Sequence, residues 1–311
     1  MSLVDLSYSN NLASPLASPK QTRLVLEHFN LAAKKRFGQN FLVNDAIIRK
    51  IINLAEVSSQ DSILEVGPGI GTLSLALLKN ASQLIAVEYD QDLLEVLATT
   101  CKPYEDRFAL IYKDALNLTE EDVRSLCKPE NLPTKLVSNL PYAVAATLIL
   151  DYFERFEWLS EATVMVQSEV ADRIAATIGS KNYGAYTVKL SLFAGVEGRF
   201  FVGPNNFMPP PRVDSSVIKL KRINLGIEPA LLPYIMRIVD SSFASRRKTI
   251  YNSIKSFFAS GTDKASCLSD EEILNLLSEA KIDSKRRGET LTKEEFITLG
   301  TKYYELIAQR L

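Results

Sequence analysis

The chain has 311 residues, 46% of them hydrophobic and 23% charged, the composition of an ordinary globular protein long enough for two domains and a sizeable core. Its net charge of −1 hides a sorting along the chain: residues 61–180 carry 19 acidic against 9 basic side chains, and residues 181–260 carry 12 basic against 4 acidic, which points to a polyanion-binding face beside a site that is not itself basic. No apolar run approaches the ~20 residues of a membrane span, and three separated cysteines with a single histidine, His28, leave neither a metal constellation nor a disulfide framework, which fits a reducing, cytoplasmic setting.

Residues 1–33 hold Ser, Asn, Pro and Leu without a secretory hydrophobic region and are read as a poorly ordered arm with no assigned function. A domain over 34–225 follows. Between about 60 and 170 the runs SILEV, QLIAVE, FALIYK, KLVSN and ATVMVQ alternate with amphipathic stretches, which predicts a doubly wound, Rossmann-like α/β sheet. GRFFVG and SSVIKLKR, with no long helix between them, predict an antiparallel pair at its edge. From 226 to 311 the pattern turns helical and predicts a small all-helical domain.

The ends of the first four strands carry the chemistry. SILEV runs into EVGPGIGTLS, whose Gly67, Gly69 and Gly71 permit a tight turn and close ligand approach. A dinucleotide fingerprint would want a third glycine where Thr72 stands; Gly-x-Gly-x-Gly is the form used for S-adenosylmethionine. Glu88 ends the second strand, where a carboxylate can accept from both ribose hydroxyls, and Asp114 follows the third, where it can accept from an adenine amino group. Each acid alone could be a cap or a solvated side chain; the three strand ends together point to one nucleoside-like ligand.

The fourth strand ends in Asn139-Leu140-Pro141-Tyr142, a strand-to-helix turn at the edge where open α/β sheets bind ligands. Pro141 keeps Leu140 out of the α region and removes a backbone donor. The Asn139 side-chain oxygen and the Leu140 carbonyl can accept N–H bonds from an exocyclic amine such as adenine N6, directing its lone pair at a methyl donor, and Tyr142 can stack on the base.

KKRFGQNFL (34–42), EVGPGIGTLS, NLPY, FMPPPRVDSSVIKL (207–220), FASRRKTIYNSI (243–254) and RRGETLTKEEF (286–296) together resemble the small-subunit ribosomal RNA adenine dimethyltransferases, the kasugamycin-sensitivity family. The resemblance implies transfer of four methyl groups from S-adenosylmethionine to N6 of two adjacent adenines in a hairpin near the 3′ end of small-subunit rRNA, on a late assembly particle, by a monomer without metal. It also implies that Asn40 and Leu42 line the cofactor with Gly67, Gly69, Glu88, Asp114 and Asn139, and that Phe207 closes on the target base opposite Tyr142; the alternative for Phe207 is core packing. Lys34, Lys35 and Arg36, and Arg246, Arg247 and Lys248 at the expected start of a helix with Lys255 two turns on, are read as phosphate contacts on either side of a flipped adenine. Two alternatives stay open: a large-subunit adenine methyltransferase of the macrolide-resistance type, and a non-catalytic RNA-binding factor on the same fold.

Overall fold

Near-continuous apolar runs that end in a glycine or a carboxylate are what a parallel sheet covered on both faces requires, and the chain forms one. The computed structural model describes residues 11–34, 38–127, 129–259 and 267–310. Nine strands run in chain order: β1 (Phe41–Leu42), β2 (Ser62–Val66), β3 (Gln83–Glu88), β4 (Phe108–Tyr112), β5 (Lys135–Asn139), β6 (Glu161–Gln167), β7 (Ala194–Val202), β8 (Phe207–Met208) and β9 (Ser215–Arg222). Seven of them make a sheet in the order β4-β3-β2-β5-β6-β9-β7. The pairs from β4 through β6 are parallel, and β9 runs antiparallel to β6. The predicted doubly wound sheet is therefore present, with its order reversing at β2 so that a crevice opens between β2 and β5.

A separate two-stranded ribbon pairs Phe41 with Met208 and Leu42 with Phe207. Val43 N–H donates to the Asn206 carbonyl (2.8 Å) and the Asn44 amide to the Asn206 side chain (2.8 Å), which anchors the GQNFL stretch.

The described part of the N-terminal stretch is ordered, contrary to the expected arm. Ser18 caps a helix, Pro19–His28, by accepting from Gln21 N–H, with Pro19 in the first turn. Leu16, Val25 and Leu26 are buried in the core, and Ser14 N–H donates to Asp45 (3.0 Å). Two buried apolar residues on a mostly polar helix, with Leu16 just before it, dock the segment, which is why composition alone misleads.

The chain divides into two compact units. The sheet unit takes the residues before Asp172 with Val196–Arg222, and the helical unit takes Asp172–Gly195 with the residues after Arg222. The sequence division near 225 leaves Asp172–Gly195 with the sheet, but that segment bonds to the helices: Tyr183 Oη donates to the Leu291 carbonyl (2.8 Å) and Lys189 pairs with Asp240 (2.6 Å). Within the helical unit, Ser269–Glu272 and Thr292–Glu295 are capping boxes opening helices Asp270–Glu279 and Lys293–Ala308.

Helices Leu232–Phe243 and Lys293–Ala308 meet backbone to backbone at Gly300, where an added Cβ would lie 2.5 Å from Ile235 Cα. Alanine is better than glycine inside a helix by ~1 kcal/mol, but overpacking here outweighs that gain. Gly300→Ala should lose roughly 1–3 kcal/mol of stability; a thermal melt showing an unchanged or raised midpoint would contradict this contact.

Candidate active site

The register Val66↔Val87 and Glu88↔Tyr112 aligns the carboxyl ends of β2, β3 and β4. The strand order therefore sets Asp114, Glu88, Gly67 and Asn139 side by side along one edge. They line a cavity of about 610 Å³ with Asn40, Leu42, Gly69, Leu140, Pro141 and Tyr142, so every expected cofactor residue and all four residues of the NLPY turn are brought together. The size suits a small-molecule ligand.

The glycine turn makes the floor. Gly67 and Gly69 have φ of +70° and +61°, in the left-handed region. A Cβ on Gly67 would come 3.3 Å from Pro141 Cγ, and one on Gly69 3.3 Å from the Phe41 ring. Glycine is needed twice over: for the turn, and to admit Pro141 and Phe41 against it.

The walls are acidic. Glu88 is buried and accepts from Tyr89 and Asp90 N–H, both at 2.8 Å; burial raises its carboxyl above the ordinary range despite those bonds. Asp114 accepts from Leu116 N–H (3.0 Å) as the cap of its own turn while lining the cavity. Burial would raise the Asp90 carboxyl, but hydrogen bonds from Lys34 and Gln39 hold it below the ordinary range. Lys34 bridges Asp90 (2.5 Å) and Asp92 (2.6 Å), and Gln39 donates to Asp90 (2.7 Å), strapping the segment before GQNFL to the end of β3.

Glu65 is the residue that sequence reading missed. It is 1% exposed, lines the cavity, and accepts from Ser74 Oγ at 2.6 Å. Burial, opposed by the Ser74 bond and reinforced by Glu88, pushes its carboxyl up to about 8. The signal was a lone carboxylate in a strand whose other four residues are apolar or small. Four acidic side chains thus line the cavity, of which Glu65 is largely protonated at neutral pH, while the one lysine among the described lining residues, Lys113, pairs with Asp122 (2.6 Å). Such a lining repels a pyrophosphate and favours a cationic ligand, so the residues fit S-adenosylmethionine and not a nicotinamide dinucleotide.

At the β5 end, the Asn139 amide N–H donates to the Asn40 carbonyl (3.3 Å), which leaves its oxygen as an acceptor. Leu140 N–H donates to the Met165 carbonyl (3.1 Å), tethering the turn to β6. The Tyr142 hydroxyl lies 2.5 Å from Ser215 Oγ, and burial raises its phenol, so it stays neutral.

Phe207 does not join them. It is 3% exposed, sits in the hydrophobic core, and pairs with Leu42 across the ribbon, where it packs beneath the GQNFL stretch and outside the cavity lining. Arg246, Arg247 and Lys248 are exposed in a turn and do not open a helix, which begins at Ile250. Thr249 supplies its cap by accepting from Asn252 N–H (3.4 Å). Lys255 does not continue the cluster, because Lys248 precedes the helix and Lys255 pairs with Asp270. Lys35 and Arg36 lie outside the described residues. Among those described, no acidic, His or Cys cluster could hold a metal ion and no helix is long and apolar enough to cross a membrane.

A model of the family "Ribosomal RNA adenine dimethylase" matches residues 30–299. The chain is 36% identical over 286 residues to ribosomal RNA small subunit methyltransferase A of Enterococcus faecalis, covering 92% of this chain and 95% of that one. It is 38% identical over 290 residues to the Clostridium botulinum protein of the same name, covering 92% and 99%. Two solved structures share the fold: a Plasmodium falciparum dimethyladenosine transferase (TM-score 0.70, 24% identity, 85% of this chain and 98% of that one) and a 23S rRNA methyltransferase (TM-score 0.59, 22% identity, 85% and 100%).

The buried Glu65 makes stability depend on pH. Its carboxyl moves from the ordinary value of 4.5 up to about 8 on folding, so the folded state holds the proton more tightly. The associated stability is complete below about 4.5 and is lost as pH rises toward 8. Glu65→Gln should therefore be more stable than the parent at pH 8.5 by on the order of a few kcal/mol, with the advantage shrinking toward pH 5. Denaturant unfolding at both pH values without cofactor checks this; an advantage independent of pH would contradict it.

Proposed function

The chain belongs to the ribosomal RNA adenine dimethylase family, and on that premise we propose that its targets are two adjacent adenines in a hairpin near the 3′ end of small-subunit rRNA. It is an S-adenosylmethionine-dependent enzyme that dimethylates adenine N6 in small-subunit ribosomal RNA. The observation that carries the reading is the meeting of the acidic, glycine-floored crevice with the NLPY turn in one cavity. We take the working substrate to be an assembling small subunit in the cytoplasm.

S-adenosylmethionine supplies the electrophilic methyl group. Glu88 would accept from the ribose hydroxyls and Asp114 from the adenine amino group of the cofactor, while Gly67 and Gly69 would let the backbone approach it. The remaining work falls to the turn after β5. Adenine N6 is a poor nucleophile because its lone pair is delocalised into the ring. Acceptors at Asn139 Oδ1 and the Leu140 carbonyl can take N6–H bonds and favour the pyramidal nitrogen, so no strong base is needed and the proton leaves after transfer. Tyr142, its hydroxyl held by Ser215, offers a ring face worth roughly 1–3 kcal/mol in stacking.

The turn at 246–248 is the proposed phosphate contact. Arg247 and Lys248 have no ion pair among the described residues, whereas Arg246 is held by Glu289 (2.8 Å). Lys34, paired with Asp90 and Asp92, is better suited to holding the cofactor-side segment than to binding RNA.

Asn139→Ala should reduce methyl transfer to undermethylated small subunits by roughly a hundredfold or more while cofactor binding is largely retained; parental turnover would remove Asn139 from the reaction. Replacing Arg246, Arg247 and Lys248 by alanine should weaken substrate binding, spare cofactor binding, and lower the salt dependence (log affinity against log salt) by about two units, since Arg246 is already paired. An unchanged slope with intact activity would mean that RNA binds elsewhere.

A further inference from the structure

The register of the central strands places a fourth polar residue beside the acceptor turn. Asn139 pairs with Met165 across β5 and β6, so both side chains lie on one face of the sheet. Gln167, two residues on, shares that face, as does its antiparallel partner Ser215, the residue that holds the Tyr142 hydroxyl. Gln167 lines the cavity with Asn139 and Tyr142.

The neighbouring polar groups on this wall are already engaged. One Asn139 amide N–H donates to the Asn40 carbonyl, the Tyr142 hydroxyl and Ser215 Oγ share a hydrogen bond, and Pro141 has no N–H at all. Among the described residues nothing bonds the Gln167 side chain, so its amide keeps two free donors and an acceptor facing the cavity. The NLPY turn can take hydrogens from the amino group and offer a ring face, but neither contact distinguishes adenine from another base bearing an exocyclic amine. The edge beside N6 separates adenine from guanine: adenine N1 is a hydrogen-bond acceptor, as is cytosine N3 beside its amine, whereas guanine N1 is a donor. Bases taken out of the stack are commonly read on that edge.

We propose that Gln167 is a specificity-determining residue that donates its amide N–H to N1 of the target adenine. This rests on the reading of the NLPY turn as the N6 site and adds base selection to it. The contact leaves N6 free to receive both methyl groups, because it is made to the ring and not to the amine. It also fixes rotation of the base about the Tyr142 stacking axis, which stacking alone leaves loose.

The test pairs side-chain and base-atom changes. Small subunits are reconstituted with the target adenines intact, as 1-deazaadenine, or as 7-deazaadenine, and kcat/KM for methyl transfer is measured for the parent, Gln167→Leu and Gln167→Glu. Gln167→Leu should lose roughly tenfold on adenine and on 7-deazaadenine, as expected for one hydrogen bond lost at a desolvated edge, and nothing on 1-deazaadenine. Gln167→Glu, an acceptor set against an acceptor, should lose more than Gln167→Leu on adenine, which a purely structural role would not produce. Calorimetric affinity for S-adenosylmethionine should be the same in all three proteins. Equal losses on adenine and 1-deazaadenine, or no loss on adenine, would overturn the proposal while leaving the parent enzyme's adenine methylation intact. Failure of the parent itself to methylate adenine would instead overturn the underlying reading, and this one with it.

Discussion

The floor of the cavity depends on the contact between Gly67 and Pro141. The first belongs to the turn after β2 and the second to the turn after β5, and glycine suits the meeting of the two, since its φ is +70° and a Cβ there would press to 3.3 Å on the proline ring. Reversal of strand order at β2 opens the crevice, and this contact joins its two sides into one site. Donor and acceptor turns are thereby fixed relative to each other by backbone rather than by flexible side chains, as pre-organised group transfer requires.

Charge then selects what enters. Glu65, Glu88, Asp90 and Asp114 line the space, and among the described residues Lys113 is paired with Asp122 and Lys34 with Asp90 and Asp92. Keeping Glu65 and Glu88 in a buried crevice costs stability, visible in the raised carboxyls of both. Carboxyls shifted by burial in a cleft are what a ligand-binding site is expected to show. Four acids of the acidic middle segment line the small-molecule crevice, and in the basic later segment Arg247 and Lys248 are exposed while Arg246 pairs with Glu289.

Much of this was legible in the sequence because β2 to β6 are near-continuous apolar runs and the residues at their ends are chemically distinct, so Gly67, Glu88, Asp114 and Asn139 stand out. Other features were hidden by their dependence on distant partners. The pairing of Phe207 with Leu42 is one, and no local periodicity reports such a pairing. Asp172–Gly195 joins the helical unit through Tyr183 and Lys189, which are single polar contacts without a pattern. Some signals were present but outweighed: Ser18-Pro19 is a sound helix start, Thr249 a sound cap after the basic run, and Glu65 a carboxylate in a buried strand.

The central claim is that this cavity brings S-adenosylmethionine to adenine N6 in small-subunit rRNA. It is tested most directly by incubating the protein with methyl-labelled S-adenosylmethionine and undermethylated small subunits, then mapping the modified nucleotides by mass spectrometry. The account predicts N6,N6-dimethyladenosine at two adjacent positions near the 3′ end of the small-subunit rRNA. Label found only in large-subunit rRNA, on an atom other than adenine N6, or nowhere in the RNA would contradict it.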